Sequence, residues 1–530
     1  MLSSGRRPEI GAWLVPVVLV LLAAFCYHLF NQNIDYSPGH NPESAKKVLF
    51  VLRGTEDFFH PILMLLTIKA AAWLRHVSDA EQVLLLGRQV AALFGIGFVL
   101  ASYLLARWFV GRATALGCAL ATAVAPLTVV HMHYLKEDAW FVCFTTLSLA
   151  ALMAMIRVPS RLRWVVFGVA SGLAMSSKYI GAAVLLLAWS VPRLAGDGFD
   201  EEAFRRATRR ALLTACVVFL VVNAPLFLDP GNFLHGLGNE LIHPIEGHQA
   251  KILPFQFLWT FHLLASLQPG MTSWLLIPAL VASLWLVLGW RDHPTTTRTL
   301  LVALGGYYMM IESTPMKPFP DFMRYAMPLV PLLAITTGMM LEKVASWPGP
   351  KPGSALPLVA LCLLSLPAYS LSCKYNQALA LDTRDVAGRI LDRLPGPIVI
   401  EHYTRDCFGV QCETLTDTRP DQVSVAFLRP GVVRGHHYRY AAISSFQYER
   451  IMLSSSLWVH YPSHDEWAAY YRTLLDKPRL QISGVLPAMG FIDPTIQIVD
   501  LQGNAGELKQ LAGSYGNDLV KLRFIDGRSS

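Results

Sequence analysis

The stretch His131-Met-His-Tyr-Leu-Lys-Glu-Asp138 decides how the chain is built. It lies between two apolar runs, 113–130 and 139–156, each at or near the roughly 20 residues needed to cross a bilayer. Within it, Lys136, Glu137 and Asp138 are consecutive charges at a membrane edge. An ionisable side chain inside a span costs about 2.5–3.5 kcal/mol on insertion scales, so such residues are usually paired or functional. A second acid, Asp35, follows the first apolar run, 11–30. Topology then has to answer whether Asp35 and the 136–138 strip face the same side.

Composition fits a membrane protein. Of 530 residues, 53% are apolar and 15% charged, and charge-free stretches near 20 residues recur, which predicts a polytopic α-helical membrane protein. The net charge of +7 sits largely in short Arg-rich loops, so it reports orientation and not nucleic-acid binding. The eight Cys show no zinc-type spacing. Arg6 and Arg7, followed by a long apolar run without a small-residue cleavage site, predict an uncleaved signal anchor with a cytoplasmic N-terminus.

The Arg/Lys rule sets the rest. Segment 31–88 holds Asp35, His60-Pro61 and a short apolar stretch, 61–74, which either spans or lies on the membrane surface. Loops Arg107–Arg112 and Arg157–Arg163 are both cytosolic if 61–74 lies flat, and Asp35 and Lys136–Asp138 are then external together. Arg75 and Arg88 count mildly against the flat arrangement, which leaves them outside; the downstream loops outweigh them. The run 164–192 is too long for one span and is interrupted by Ser176-Ser-Lys178-Tyr179. Splitting it at Lys178 puts the basic loops on both sides in the cytosol and dips Lys178 into a polar cavity. Further spans at 211–228, 272–290, 299–311, 326–341 and 355–371 bring the count to about eleven. The 229–270 loop and the proline-rich connector Glu312–Tyr325 lie outside.

Residues 375–530 alternate helix-like stretches (383–394, 465–475) with β-rich runs (398–401, 441–444, 495–501), predicting an external α/β domain. The division is 1–374 for the multi-span region, with its external loop 31–88 holding a surface helix, and 375–530 for the domain. Cys407 and Cys412 lie in the domain as either a disulfide or two thiols.

Five elements recur in a recognisable order: Asn33-Ile-Asp35, His60-Pro-Ile-Leu63, Lys136-Glu-Asp138, Gly172-Leu-Ala-Met-Ser-Ser-Lys178-Tyr179 and Arg324-Tyr-Ala-Met-Pro-Leu-Val-Pro331. In this order they resemble the GT-C membrane glycosyltransferases, and within them the branch of protein O-mannosyltransferases and aminoarabinose lipid A transferases. The resemblance covers about 1–375, and Asp382-Thr-Arg-Asp-Val-Ala in the tail resembles the external domain of bacterial members. It implies transfer of a sugar from a polyprenyl-phosphate donor to an acceptor lipid, glycan or protein on the outer face. By that analogy Asp35 is the general base, Asp138 with Glu137 orients the acceptor or stabilises the donor, and Lys178, Arg324 and His60 meet the donor phosphate. Many relatives carry Asp-Glu where this chain has Asp35-Tyr36, which weakens a metal there. The resemblance, with the absence of an Asn-x-Ser/Thr site, points to a bacterial inner membrane with the C-terminal domain outside.

The residues themselves support the same chemistry. Inverting transfer needs one base and cations on the leaving phosphate. Competing readings stay open at this level. Asp138 can simply cap a helix, Lys178 can snorkel to the interface, and His131 and His133 with Glu137 and Asp138 can take a divalent cation. The whole chain also fits a secondary transporter or lipid flippase, although the break at Lys178 has no counterpart in the second half.

Overall fold

The computed structural model describes residues 10–527 apart from 38–39, 55–57, 197, 247–251, 316–320, 347–354, 406–420, 426–427, 429–430, 432–436, 454–463, 504 and 514–517. Arg6, Arg7, Cys407 and Cys412 therefore lie outside the described residues. The first part is helical: α1 (Ile10–Asn31), α2 (Pro42–Arg53), α3 (Leu63–Arg75), α4 (Ala80–Ala106), α5 (Arg112–Val124), α6 (Pro126–Met132), α7 (Asp138–Arg157), α8 (Arg161–Ser177), α9 (Ala183–Leu194), α10 (Glu201–Val222), α11 (Pro230–Glu246), α12 (Gln268–Leu288), α13 (Thr295–Ser313), α14 (Leu329–Ala345) and α15 (Leu356–Ala380).

Among the described residues, four helical stretches are long and apolar enough to cross a membrane: Ala80–Ala106, Asp138–Arg157, Leu263–Leu288 and Leu356–Leu391. The pair α5 and α6, bent by 59°, makes a fifth if it crosses as one span; Val15–Asn31 and Tyr179–Leu194 are apolar but shorter. The other segments of the eleven-span expectation do not reach that length and hydropathy.

Three local features differ from the sequence expectation, each for a physical reason. The run 113–130 is not one helix. Pro126 cannot donate a backbone hydrogen bond and drives Ala125 into extended backbone (φ −61°, ψ 126°). The freed carbonyl of Val124 accepts the Ser372 hydroxyl at 2.8 Å. Segment 31–88 holds two helices, α2 and α3, and the start of α4 as well. The 13 residues of α3 extend about 20 Å, short of the roughly 30 Å hydrocarbon core, so α3 does not span by itself. The segment 229–270, expected as a loop, contains α11.

The expected break at Lys178 is present. α8 ends at Ser177, Lys178 is extended (φ −149°, ψ 139°), and a 3-10 turn, Tyr179–Ala182, leads into α9. Gly181 makes the fold-back fit, because a Cβ there would stand 2.4 Å from the backbone of Ala174.

α15 continues through position 375 to Ala380, and α16 (Thr383–Leu391) follows with a capping box built on Asp382 and Asp385. The domain beyond is a six-stranded sheet, in order β2-β1-β3-β5-β4-β6, from β1 (Ile398–Glu401), β2 (Gln422–Val425), β3 (Tyr440–Ser444), β4 (Arg479–Gly484), β5 (Ile496–Asp500) and β6 (Val520–Ile525). β2, β1 and β3 are parallel; β3–β5, β5–β4 and β4–β6 are antiparallel. Helices Ser445–Leu453, His464–Leu475 and Gly506–Ala512 complete it. Sequence patterning missed β2, β4 and β6; β4 and β6 carry polar residues on one face.

The connection between β4 and β5 leaves the domain and enters the helical body. Met489, Phe491 and Ile492 are buried in the same core cluster as α4 and α7. The N–H of Phe491 donates to Tyr134 Oη at 2.9 Å, and Tyr375 Oη donates to the Pro487 carbonyl at 2.9 Å.

Candidate active site

The charges singled out along the sequence converge. Asp138 is the first residue of α7; it is not an N-cap, since Glu137 occupies that place in helical backbone and makes no side-chain cap. The Asp138 carboxylate is 4% exposed and lies between two cations, Lys178 Nζ at 2.5 Å from Oδ1 and Arg324 Nε at 3.3 Å from Oδ2. Lys178 comes from the break after α8, and Arg324 from the 3-10 turn Asp321–Ala326 before α14. Each of the three charges thus sits at a helix interruption, where backbone polar groups and room for an ion coincide. Tyr325 lies under both cations, its ring centre 5.4 Å from Lys178 Nζ and 5.4 Å from the Arg324 guanidinium.

Glu137 turns the other way and is buried against Lys47 of α2, with which it forms an ion pair. His60 does not join the Asp138 pair. Its Nδ1 lies 3.8 Å from Glu240 of α11, and both side chains are partly exposed. Lys136 is buried, with its ammonium 4.5 Å from the centre of the Phe491 ring.

The turn carrying Asp35 is held against the same strip. Tyr36 Oη donates to the His133 carbonyl at 3.2 Å, His133 Nε2 meets the Gln32 carbonyl at 3.1 Å, and Asn33 Nδ2 donates to the Asn376 carbonyl at 2.7 Å. Asp35 itself is exposed, while Ile34 and Tyr36 on either side are buried. The Asp35 turn therefore packs on the His133–Tyr134 part of the strip that runs on to Asp138. His131 and His133 do not form a metal site with the acids: among the described residues no group of three or more His, Cys, Asp or Glu comes together to hold an ion.

A groove of about 300 Å³ opens beside the charged cluster, lined by α7, α9, α13 and α14. Its walls include Phe141, Leu149, Ile180, Leu187, Met310 and Leu332, with Thr145, Ser190 and Tyr307 as the hydroxyl-bearing residues. Phe141 also lies 5.9 Å beneath Lys178 Nζ, so the apolar groove begins where the cations end. Sequence reading singled out Asp35, Glu137, Asp138, Lys178, Arg324 and His60, of which the structure brings Asp138, Lys178 and Arg324 together. It missed Lys47, in a helix of mixed composition, and Tyr307, one tyrosine in an apolar run.

Where the domain meets the body, Arg384 is fully buried. It donates to Asp382 Oδ1 at 2.7 Å, to the His40 carbonyl at 3.0 Å and to the Phe491 carbonyl. Burial, and then the Asp382 charge, push Asp493 well up.

Residues 59–228 match the family model described as dolichyl-phosphate-mannose-protein mannosyltransferase. No curated protein sequence matches the chain. Among solved structures, ArnT from Cupriavidus metallidurans bound to undecaprenyl phosphate is similar with a TM-score of 0.53 at 16% identity, over 92% of this chain and 98% of that one. The archaeal oligosaccharyltransferase AglB from Archaeoglobus fulgidus, in complex with an inhibitory peptide and a dolichol-phosphate, is similar with a TM-score of 0.56 at 10% identity, over 94% of this chain and 75% of that one. The expected resemblance holds: in sequence over 59–228, and in fold along nearly its whole length, this chain is similar to the GT-C membrane glycosyltransferases.

Proposed function

We propose that the chain is an inverting glycosyltransferase that moves a sugar from a polyprenyl-phosphate donor to an acceptor hydroxyl or amine at the outer face of the membrane. The observation that carries this is the Lys178–Asp138–Arg324 cluster at the mouth of an apolar groove, with the exposed Asp35 turn packed on His133 of the strip that leads to Asp138. A lipid-linked phosphate needs an apolar channel for its chain and cations at its head. ArnT and AglB, whose structures hold polyprenyl or dolichol phosphate, lend the donor class.

In this mechanism the Asp35 carboxylate takes the acceptor proton as the acceptor oxygen or nitrogen attacks the anomeric carbon. The bond from that carbon to the phosphate oxygen breaks, and its electron pair leaves with the phosphate as a lipid phosphate monoester. Lys178 and Arg324 stabilise the charge that grows there, so no general acid is needed. Asp138 keeps the two cations together, and Glu137, paired with Lys47, holds α2 against the start of α7. His60, tied to Glu240, has a lesser part at the rim. The catalytic part is 1–374 and the external part 375–530, in a bacterial inner membrane with about eleven crossings. The acceptor is a lipid, glycan or protein.

The test uses purified protein in lipid, a panel of radiolabelled polyprenyl-phosphate sugars, and membrane extract as acceptor. Wild type transfers label from one donor, and folded Asp35→Asn loses about 10²–10⁴-fold in kcat, the usual contribution of a general base. Equal transfer by both removes Asp35 from the mechanism.

A further inference from the structure

Arg88 is a cation that the orientation rule does not explain. It lies within the apolar α4, which is long enough to span, and it is 2% exposed. One nitrogen, Nη1, donates to the Ile34 carbonyl at 2.8 Å and to the Tyr36 carbonyl at 2.6 Å. These are the carbonyls on either side of Asp35. The guanidinium also stacks on the Tyr36 ring, 3.5 Å from its centre. Its Nε and Nη2 have no hydrogen-bond partner among the described residues.

Burying a cation with donors unused is costly, and an apolar residue in α4 would fill the same space without that cost. The compensation is local control of one turn. The turn has no regular structure to hold it, and Asn33 sits at φ +57°. Asn376 grips Asn33, and the His133 carbonyl grips Tyr36 Oη. The middle of the turn, where Asp35 stands, is held from below by Arg88.

We propose that Arg88 is the positioning residue for Asp35: by fixing the Ile34 and Tyr36 carbonyls, Arg88 aims the carboxylate at the acceptor without touching substrate. This rests on Asp35 being the base. It differs from a plain structural role because its effect passes through Asp35 alone, and so vanishes once Asp35 is removed.

The experiment is a double-mutant cycle on the full-length protein in lipid, with the donor that wild type uses. Arg88→Met, Asp35→Asn, the double variant and Arg88→Lys are compared for kcat, donor KM and thermal stability. Arg88→Met lowers kcat by at least about tenfold with donor KM unchanged, a fraction of the general-base contribution. Arg88→Lys, which can still donate to both carbonyls, recovers part of the loss. The double variant is no slower than Asp35→Asn alone. If the losses multiply in the double variant, or if Arg88→Met raises donor KM instead of lowering kcat, the positioning role is overturned. If Arg88→Met does not fold, Arg88→Lys takes its place in the same cycle, with the same two outcomes. Wild-type kcat in Asp35→Asn would sink the base assignment and this inference with it. Multiplied losses on top of a slow Asp35→Asn sink this inference alone.

Discussion

Asp138 and Glu137 are neighbours in sequence, yet each answers to different cations, and this separates binding from stability. In the proposed mechanism, replacing Lys178 with Met removes one charge-assisted contact to the donor phosphate, worth about 1.5–3 kcal/mol, so donor KM rises roughly 10–100-fold. Arg324→Met behaves alike, and the double variant loses less than the product because both cations share Asp138. Glu137→Gln acts on the fold instead. It removes the carboxylate paired with buried Lys47, and breaking a buried pair costs up to about 3–5 kcal/mol; a melting curve reads the loss, and adding Lys47→Met restores part of it. At this scale the sequence was legible where a charge interrupts an apolar run, as at Lys136–Asp138 and Lys178. It was silent on Lys47, because a lysine in Pro42–Arg53 looks like any solvated helix residue. Arg88 was legible as a charge but not as a ligand of two carbonyls, since nothing local ties 88 to 34–36.

Helix interruptions do the placing at the next scale up. Asp138 follows the irregular stretch after α6, Lys178 sits between α8 and its 3-10 turn, and Arg324 lies in the 3-10 turn before α14. An unbroken helix at any of these would carry its charge elsewhere. Gly181→Ala tests the idea: the added Cβ would meet the backbone of Ala174, which cannot swing aside as a side-chain tip can. Lower thermal stability and a raised donor KM are expected together, and no change in either shows that the break tolerates displacement. The break at Lys178 was readable because 29 apolar residues are too many for one span. The bend at Pro126 was not, because hydropathy registers an apolar run and is blind to the missing N–H.

For the molecule as a whole, the domain carries its own pH dependence. Glu401 is buried at the end of β1, where its carboxylate accepts the N–H groups of Leu428 and Ser444 at 3.0 and 3.1 Å and the Tyr471 hydroxyl. Burial pushes its pKa up to about 7 from 4.5. A raised carboxyl contributes stability that is fully present below the unfolded value, near 4.5, and is lost as pH rises through 7. Glu401 therefore contributes less stability at pH 8 than at pH 4.5, by up to about 3 kcal/mol at 1.36 kcal/mol per unit. Hydrogen exchange in β1 and β3 reads this slope, and Glu401→Gln flattens it; a slope unchanged in the variant assigns the effect to another group. The sheet's existence was legible in its alternating tail, but its docking was not, because the contacts link residues hundreds of positions apart.

The connection between β4 and β5 brings Phe491 to Tyr134, 357 residues earlier in the chain. Gly490 beside it has φ +58°, and a Cβ there would lie 3.0 Å from the Tyr134 ring. Such a seat is filled by one short piece of backbone that arrives late. During synthesis the strip at 131–138 emerges long before its partner, and waits with an open apolar slot until nearly all of the chain has been made. Contacts of such long separation form last. A chain that stops early therefore has Tyr134 and Lys136 without the cover of Phe491, so the strip that carries the site acids reaches its final packing only when the late connection arrives.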